Sequence, residues 1–140
     1  MENTRPRWLA WASIALLLWN LMGLGSFIYH VTLTPDAIAA LPDIQQDMMN
    51  GSTARTWIAF GTATVGGTFA AIALLLRKRW AAPLFLISLI AVIVQFTAPH
   101  LIDIAANRDM SIMAFPALIA VVGAVEWMLA RRWAKAGWLN

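Results

Sequence analysis

The chain has 140 residues, of which 61% are hydrophobic and 12% are charged, with a formal net charge of +3. An ordinary soluble domain carries about 25% charged residues, so this composition is typical of a membrane protein. The absence of cysteine excludes disulfides, thiolate metal sites and thiol catalysis.

Four apolar runs are long enough to cross a hydrocarbon core of about 30 Å at about 1.5 Å per residue. They cover residues 8–31, 57–76, 81–101 and 112–130. Backbone groups in lipid must be hydrogen-bonded within the protein, and no alternation of apolar and polar residues indicates barrel strands. The sequence therefore predicts an all-α fold in which residues 1–140 form one membrane domain, a four-transmembrane-helix bundle.

The first run follows two basic residues, Arg5 and Arg7, as the apolar region of a secretion signal does. Its apolar stretch is longer than the roughly 7–15 residues of such a signal, and no small-residue cleavage pattern closes it. We predict a retained membrane helix.

The connection at 32–56, between the first two spans, is long for a structureless loop and is predicted to contain short helices. Thr34, Pro35 and Asp36 are typical of a helix start, as cap, first position and an acid suited to the helix dipole. Four apolar residues then fall on one helical face: Ile38, Leu41, Ile44 and Met48. The segment is either a cap lying on the bundle or the membrane interface, or a lid over a substrate.

Most of the basic residues lie on one predicted side of the bundle, in the N-terminus, the second connection and the C-terminus. They are Arg5, Arg7, Arg77, Lys78, Arg79, Arg131, Arg132 and Lys135. Cytoplasmic segments carry an excess of lysine and arginine, so both termini are predicted to be cytoplasmic. This distribution explains the net charge through membrane topology and gives no indication of nucleic-acid binding.

The second span carries small residues at intervals of four: Ala59, Ala63, Gly67 and Ala71. Such spacing lets helices approach closely, and close packing is a main source of helix association in lipid. The stripe is either an internal helix-packing face or the interface of a dimer.

Three polar residues fall near the predicted midplane, one on each of the first three spans: Asn20, Thr64 and Gln95. A polar layer of this kind fixes how helices register, and Asn20 is then expected to bond Gln95 or Thr64. The alternative is a midplane binding site for a solute.

Glu126 is the only acidic residue within a predicted span, about one turn from the cytoplasmic end of the fourth. One interpretation is a structural ion pair with Lys78, Arg79 or Arg131. The other is a proton-coupling carboxylate, since ionisable residues inside membranes are candidates for function.

His30, His100 and Asp103 lie near the outer ends of the first and third spans and are candidates for a metal site. Local hydrogen bonds at the interface are the expected role of the two histidines. Because no catalytic or nucleotide-binding fingerprint is present, we predict neither enzymatic activity nor a cofactor.

Four segments are similar to a family of small bacterial inner-membrane proteins whose members are often labelled as sugar transporters. They are LLLWNLMG at 16–23, TWIAFGTATVGGTFAAIALLLRKRWA at 56–81, LFLISLIAVIVQF at 84–96 and GWL at 137–139. The resemblance implies a four-helix protein of the bacterial inner membrane, with a periplasmic connection between helices 1 and 2, and it implies no established activity. Asn20 and Gln95 match the family pattern, whereas Thr56 and His30 depart from it.

Two functions are compatible with these features. Small size and the stripe on the second span favour an accessory protein in the lipid bilayer, acting as a small oligomer or bound to a larger membrane partner. The alternative is a transporter of a small, sugar-like solute that works as a homo-oligomer, with Asn20, Thr64 and Gln95 as its site and Glu126 as a proton carrier.

Overall fold

Helices form all the regular structure of residues 4–140, the part of the chain that the computed structural model describes. The elements are α1 (Trp8–Val31), α2 (Pro35–Ala39), α3 (Asp43–Asn50), α4 (Ala54–Leu75), α5 (Ala81–Phe96), α6 (Pro99–Asn107), a 3₁₀ turn (Met110–Met113) and α7 (Ala114–Lys135). The all-α fold class is confirmed, since this part of the chain contains no strand.

Three helical stretches are long and apolar enough to cross a membrane: Trp8–Val31, Ala54–Leu75 and Met110–Lys135. The predicted third span is broken instead of straight, because α5 and α6 meet at an angle of 53° and count as a fourth span only when taken together. Pro99 explains the break, since it has no N–H to donate to the carbonyl of Gln95 one turn earlier. The protein is therefore a helical membrane protein with three or four spans.

The order of packing leaves a gap between the first and last long helices. Helix α4 packs against both α1 and α5, and α5 packs against α7, whereas α1 and α7 approach each other at few points. The rings of Trp8 and Trp133 meet edge to face with their centroids 5.9 Å apart. The start of α1 and the end of α7 therefore lie at the same end of the bundle, here named the termini end, and the opposite end is named the loop end.

A tightly packed core fills the termini end. Leu9, Leu74, Phe85, Trp133 and Leu139 are between 0% and 2% exposed. The C-terminal tail completes this core, since the Asn140 N–H donates to the Arg77 carbonyl at 2.6 Å and brings Leu139 inward. The tail turns back at Gly137, whose φ of +76° ends α7 and lets the Trp138 N–H donate to the Trp133 carbonyl.

Replacing Gly137 with alanine is expected to lower the free energy of unfolding by about 1–2 kcal/mol, because a side chain disfavours the left-handed conformation. No heavy atom lies within 4 Å of the position of the new Cβ, so the cost comes from the backbone alone. Thermal unfolding of detergent-solubilised protein measures the effect. Gly25→Ala, also in open space but within α1, is the matched control and should be neutral or stabilising. Equal stability of the two variants would contradict the prediction.

The short helices predicted for the connection are present at the loop end, as α2 and α3. Thr34 caps α2 by accepting a hydrogen bond from the Ala37 N–H at 3.2 Å, and Pro35 occupies the first position, as predicted. Helix α3 packs against α6, and the Arg108 guanidinium forms an ion pair with Asp47. The connection therefore lies over the bent end of the third span.

Candidate functional site: a cavity between four helices

A cavity of about 290 Å³ lies between α1, α4, α5 and α7, where the first and last long helices separate. It extends from Ser26 and Phe96 near the loop end to Asn20 and Glu126 at mid-depth. No residue of the 32–53 connection lines it. In this conformation the connection is a cap over α6, and the lid predicted as its alternative is not seen over the cavity.

Asn20 and Glu126 form the floor of the cavity. The Asn20 Nδ2 donates to the Glu126 Oε1 at 2.8 Å and to the Leu16 carbonyl at 2.8 Å. Glu126 is 3% exposed and Asn20 is 8% exposed. This hydrogen bond joins α1 to α7 across the gap between them. It corrects the expectation that Asn20 bonds Gln95 or Thr64.

Glu126 also lies deeper than the sequence indicated. The carboxyl group accepts a hydrogen bond from Asn20, which lies at the middle of α1, and α7 continues beyond Glu126 to Lys135. The predicted ion pair with Lys78, Arg79 or Arg131 is absent from the part of the chain that the structure describes, where the ion pair found is that of Arg108 and Asp47. The Arg131 guanidinium instead lies over the Trp127 ring at 4.9 Å.

Gly67 allows three helices to meet beside the floor. A Cβ at this position would overlap the Asn20 Oδ1 and lie 3.1 Å from the Ser88 Oγ. Ser88 donates to the Ala63 carbonyl at 2.6 Å, which ties α5 to α4. Thr68 donates to the Thr64 carbonyl at 2.8 Å and also reaches the Asn20 carbonyl, at 3.4 Å. Thr68 was not among the residues predicted from the sequence, although it follows Thr64 by one helical turn.

The small-residue stripe of α4 faces the interior. Ala59 and Ala63 are 6% exposed, Ala71 is fully buried and Gly67 is also buried. The stripe is thus an internal packing face against the neighbouring helices of the same chain. As an interface for a dimer or partner it is not available, which corrects that alternative.

Gln95 lines the cavity near its loop end without a hydrogen-bond partner. It is 6% exposed, and no residue between 4 and 140 forms a hydrogen bond with its side-chain amide. Thr64 also lines the cavity, but its Oγ1 donates to the Phe60 carbonyl of its own helix at 2.9 Å. All four polar residues selected from the sequence therefore line one cavity, although they do not form a single bonded layer. Gln95 lies near the loop end because α5 ends at Phe96.

The walls of the cavity are apolar and rich in aromatic rings. Trp19, Phe60, Phe96 and Phe115 contribute aromatic side chains. Glu126 is the one ionisable residue among those that line it. The lining combines apolar side chains with a few polar groups, as the linings of small-molecule sites do.

The candidate metal ligands do not come together. The His30 Nδ1 lies 2.7 Å from the Ser26 carbonyl of its own helix, Asp103 is exposed, and the His100 ring packs against Gly51. The His100 Nε2 is buried without a partner among residues 4–140. No group of three metal-binding side chains occurs in that part of the chain.

Comparisons with protein-family models, curated proteins and solved structures find no significant match to this chain. The resemblance to small bacterial inner-membrane proteins stays a prediction. The case for a functional site therefore rests on the geometry of the cavity.

Proposed function

We propose that this chain is a non-enzymatic carrier of the bacterial inner membrane that binds a small solute in the cavity and transports it. Its termini face the cytoplasm and its loop end faces the periplasm. One observation carries the proposal: Asn20, Thr64, Gln95 and Glu126, which come from four different helices, line the same cavity. Ionisable residues within membrane spans face the bundle interior or a water-filled cavity, and they mark the pathways of substrates and ions.

The unpaired amide of Gln95 supports a ligand in this cavity. Among residues 4–140, the fully buried side-chain polar atoms that lack a partner are the His100 Nε2 and the Trp138 Nε1, and the Gln95 amide is not one of them. The amide therefore faces the open space of the cavity, where water or a ligand can satisfy its hydrogen bonds. Gln95 also lies immediately before the break between α5 and α6. Broken helices provide binding groups at membrane depth in many transporters, because the break releases backbone and side chains from regular packing.

The two ends of the bundle differ in a way that suits a carrier. The core around Trp133 and Leu139 fills the termini end, whereas the cavity occupies the half toward the loop end. A carrier has such an asymmetry when its site is accessible from one side only. Release to the other side then requires the packing between α1 and α7 to change, and a homo-oligomer provides the support that four helices alone do not.

The accessory function predicted from the sequence is the less favoured alternative. Its docking surface was the stripe on α4, and all four residues of that stripe are interior. Purification from native membranes in mild detergent, followed by native mass spectrometry, tests it directly. A stoichiometric larger partner would favour the accessory function over transport.

Binding through Gln95 is tested with a panel of sugars, alcohols and amines screened for stabilisation of the purified protein. At about 100 times its dissociation constant, a ligand raises the free energy of unfolding by about 2.7 kcal/mol. We expect Gln95→Leu to lose at least half of that stabilisation, because the ligand's hydrogen bonds to the amide are lost.

Gln45→Leu provides the control, since Gln45 is an exposed residue of α3 outside the cavity. It should keep the full response to the ligand. A panel without any stabilising compound, or equal responses in the two variants, would contradict binding at this site. Uptake of the stabilising compound into proteoliposomes then separates transport from binding alone.

A further inference from the structure

The charge balance around Glu126 indicates what the cavity binds. The Glu126 residue is 3% exposed, and the described partner of its Oε1 is the neutral amide of Asn20. Its Oε2 accepts no hydrogen bond from residues 4–140. A carboxylate inside a membrane requires compensation by a positive charge or by a proton.

No basic side chain of the neighbouring helices supplies that charge. His30 lies at the loop end of α1 and bonds its own helix, and Arg55 lies in the first turn of α4. Helix α5 has no ionisable residue, and Arg131 of α7 lies over Trp127. None of these residues lines the cavity. The compensating charge therefore comes from a bound proton or from the ligand.

The walls suit a cation with an apolar body. Four aromatic residues line the same cavity as the carboxyl group: Trp19, Phe60, Phe96 and Phe115. Aromatic faces attract ammonium groups, most strongly where water is excluded. Apolar walls also stabilise a hydrocarbon body, whereas a sugar would leave most of its hydroxyl groups without partners.

The position of the carboxyl group is fixed by its surroundings. Asn20 holds the Oε1, and Asn20 itself is held by the Leu16 carbonyl and seated against Gly67. The second oxygen is left to face a ligand. A proton and a cation cannot both neutralise this single group, so each displaces the other.

We propose that the cavity is a site for a hydrophobic ammonium ion, with Glu126 as its counter-ion and with a proton as its competitor. This inference rests on the proposed solute-binding function and specifies its substrate class. Proton and cation exchange at one carboxyl group would couple cation transport to a proton gradient. No bond other than that to the exchanged proton is made or broken.

The test compares 4-phenylbutylamine with 4-phenylbutan-1-ol, which have the same length and shape and differ in charge. Binding to the protein in nanodiscs is measured by calorimetry, with empty nanodiscs as the blank. At about pH 8 we expect the amine to bind about tenfold or more tightly than the alcohol. Lowering the pH to about 5 should weaken amine binding and leave alcohol binding unchanged. The amine stays protonated, whereas the carboxyl group of Glu126 takes up a proton because burial disfavours its charged form.

Glu126→Gln keeps an oxygen that accepts the hydrogen bond of Asn20 but removes the charge. In this variant the amine is expected to bind no more tightly than the alcohol, and its pH dependence is expected to disappear. The pH series of the unaltered protein gives an independent result if the variant fails to fold.

Three outcomes would overturn the inference. Equal binding of both compounds, unaffected by Glu126→Gln, would show that the site does not select a cation, while the proposed solute site would remain. Preference for the alcohol or for a sugar would identify a neutral substrate. Absence of binding by either compound, together with an unresponsive panel, would reject the proposed function along with the inference.

Discussion

Replacing Gly67 with alanine is expected to destabilise the protein by about 1–3 kcal/mol, the usual cost of adding a methyl group to a well-packed interior. The new Cβ would overlap the Asn20 Oδ1 and press on the Ser88 Oγ at 3.1 Å. Asn20 cannot turn aside without breaking its hydrogen bonds to Glu126 and Leu16. Thermal unfolding in detergent, monitored by circular dichroism, measures the loss.

Gly66→Ala is the matched control, since it adds the same atom one position earlier on α4. Its Cβ would lie 4.0 Å from the Ser88 Cβ, an ordinary contact. We expect Gly66→Ala to be neutral or slightly stabilising, because alanine favours a helix more than glycine does.

A double-mutant cycle identifies the atom responsible. In an Asn20→Ala background the oxygen that meets the new Cβ is gone, so Gly67→Ala should cost less than in the unaltered protein. A full cost in that background would show that Asn20 is not the obstacle. Equal costs at positions 66 and 67 would contradict the close approach itself.

Replacing Trp133 with alanine is expected to have the largest effect, about 3–5 kcal/mol, as for other large residues removed from tightly packed cores. The indole is 1% exposed and packs within the core of the termini end. In a membrane protein, the loss comes mainly from packing contacts, since lipid is as apolar as the protein interior.

Trp11→Ala removes an indole of the same size that is 74% exposed on α1. We expect it to change the unfolding temperature little, since the lost contacts are largely with lipid. Comparable losses in the two variants would contradict the placement of the core at the termini end. A loss confined to Trp133 would support the one-sided arrangement on which the carrier proposal depends.

The comparison of the two glycine variants and that of the two tryptophan variants also bear on function. Gly67 positions Asn20, and Asn20 holds the Glu126 carboxyl group at the cavity floor. Trp133 belongs to the core that fills the termini end. If a variant at either position folds and still binds the ligand, the packing at that position is not required for binding at the proposed site.

Much of the architecture follows from local patterns in the sequence. The length of the apolar runs predicts the long helices, because a polar backbone in lipid must bond within its own segment. The cap at Thr34 and Pro35 predicts where α2 begins, because both act through their own neighbours. Asn20, Thr64, Gln95 and Glu126 could be predicted as site residues from the sequence because polar residues are rare within its apolar runs.

What these residues do with one another was decided by the tertiary structure. The pairing of Asn20 with Glu126 joins residues 106 positions apart, and it depends on how α1 and α7 are placed against each other. The interior position of the α4 stripe depends on α1 and α5 packing against that helix, since a stripe alone does not specify its partner. The sequence by itself determined which residues are polar, small or apolar and which helices they occupy. Only the packing of those helices decided which side chains meet, because a contact between helices depends on the rotation and depth of both.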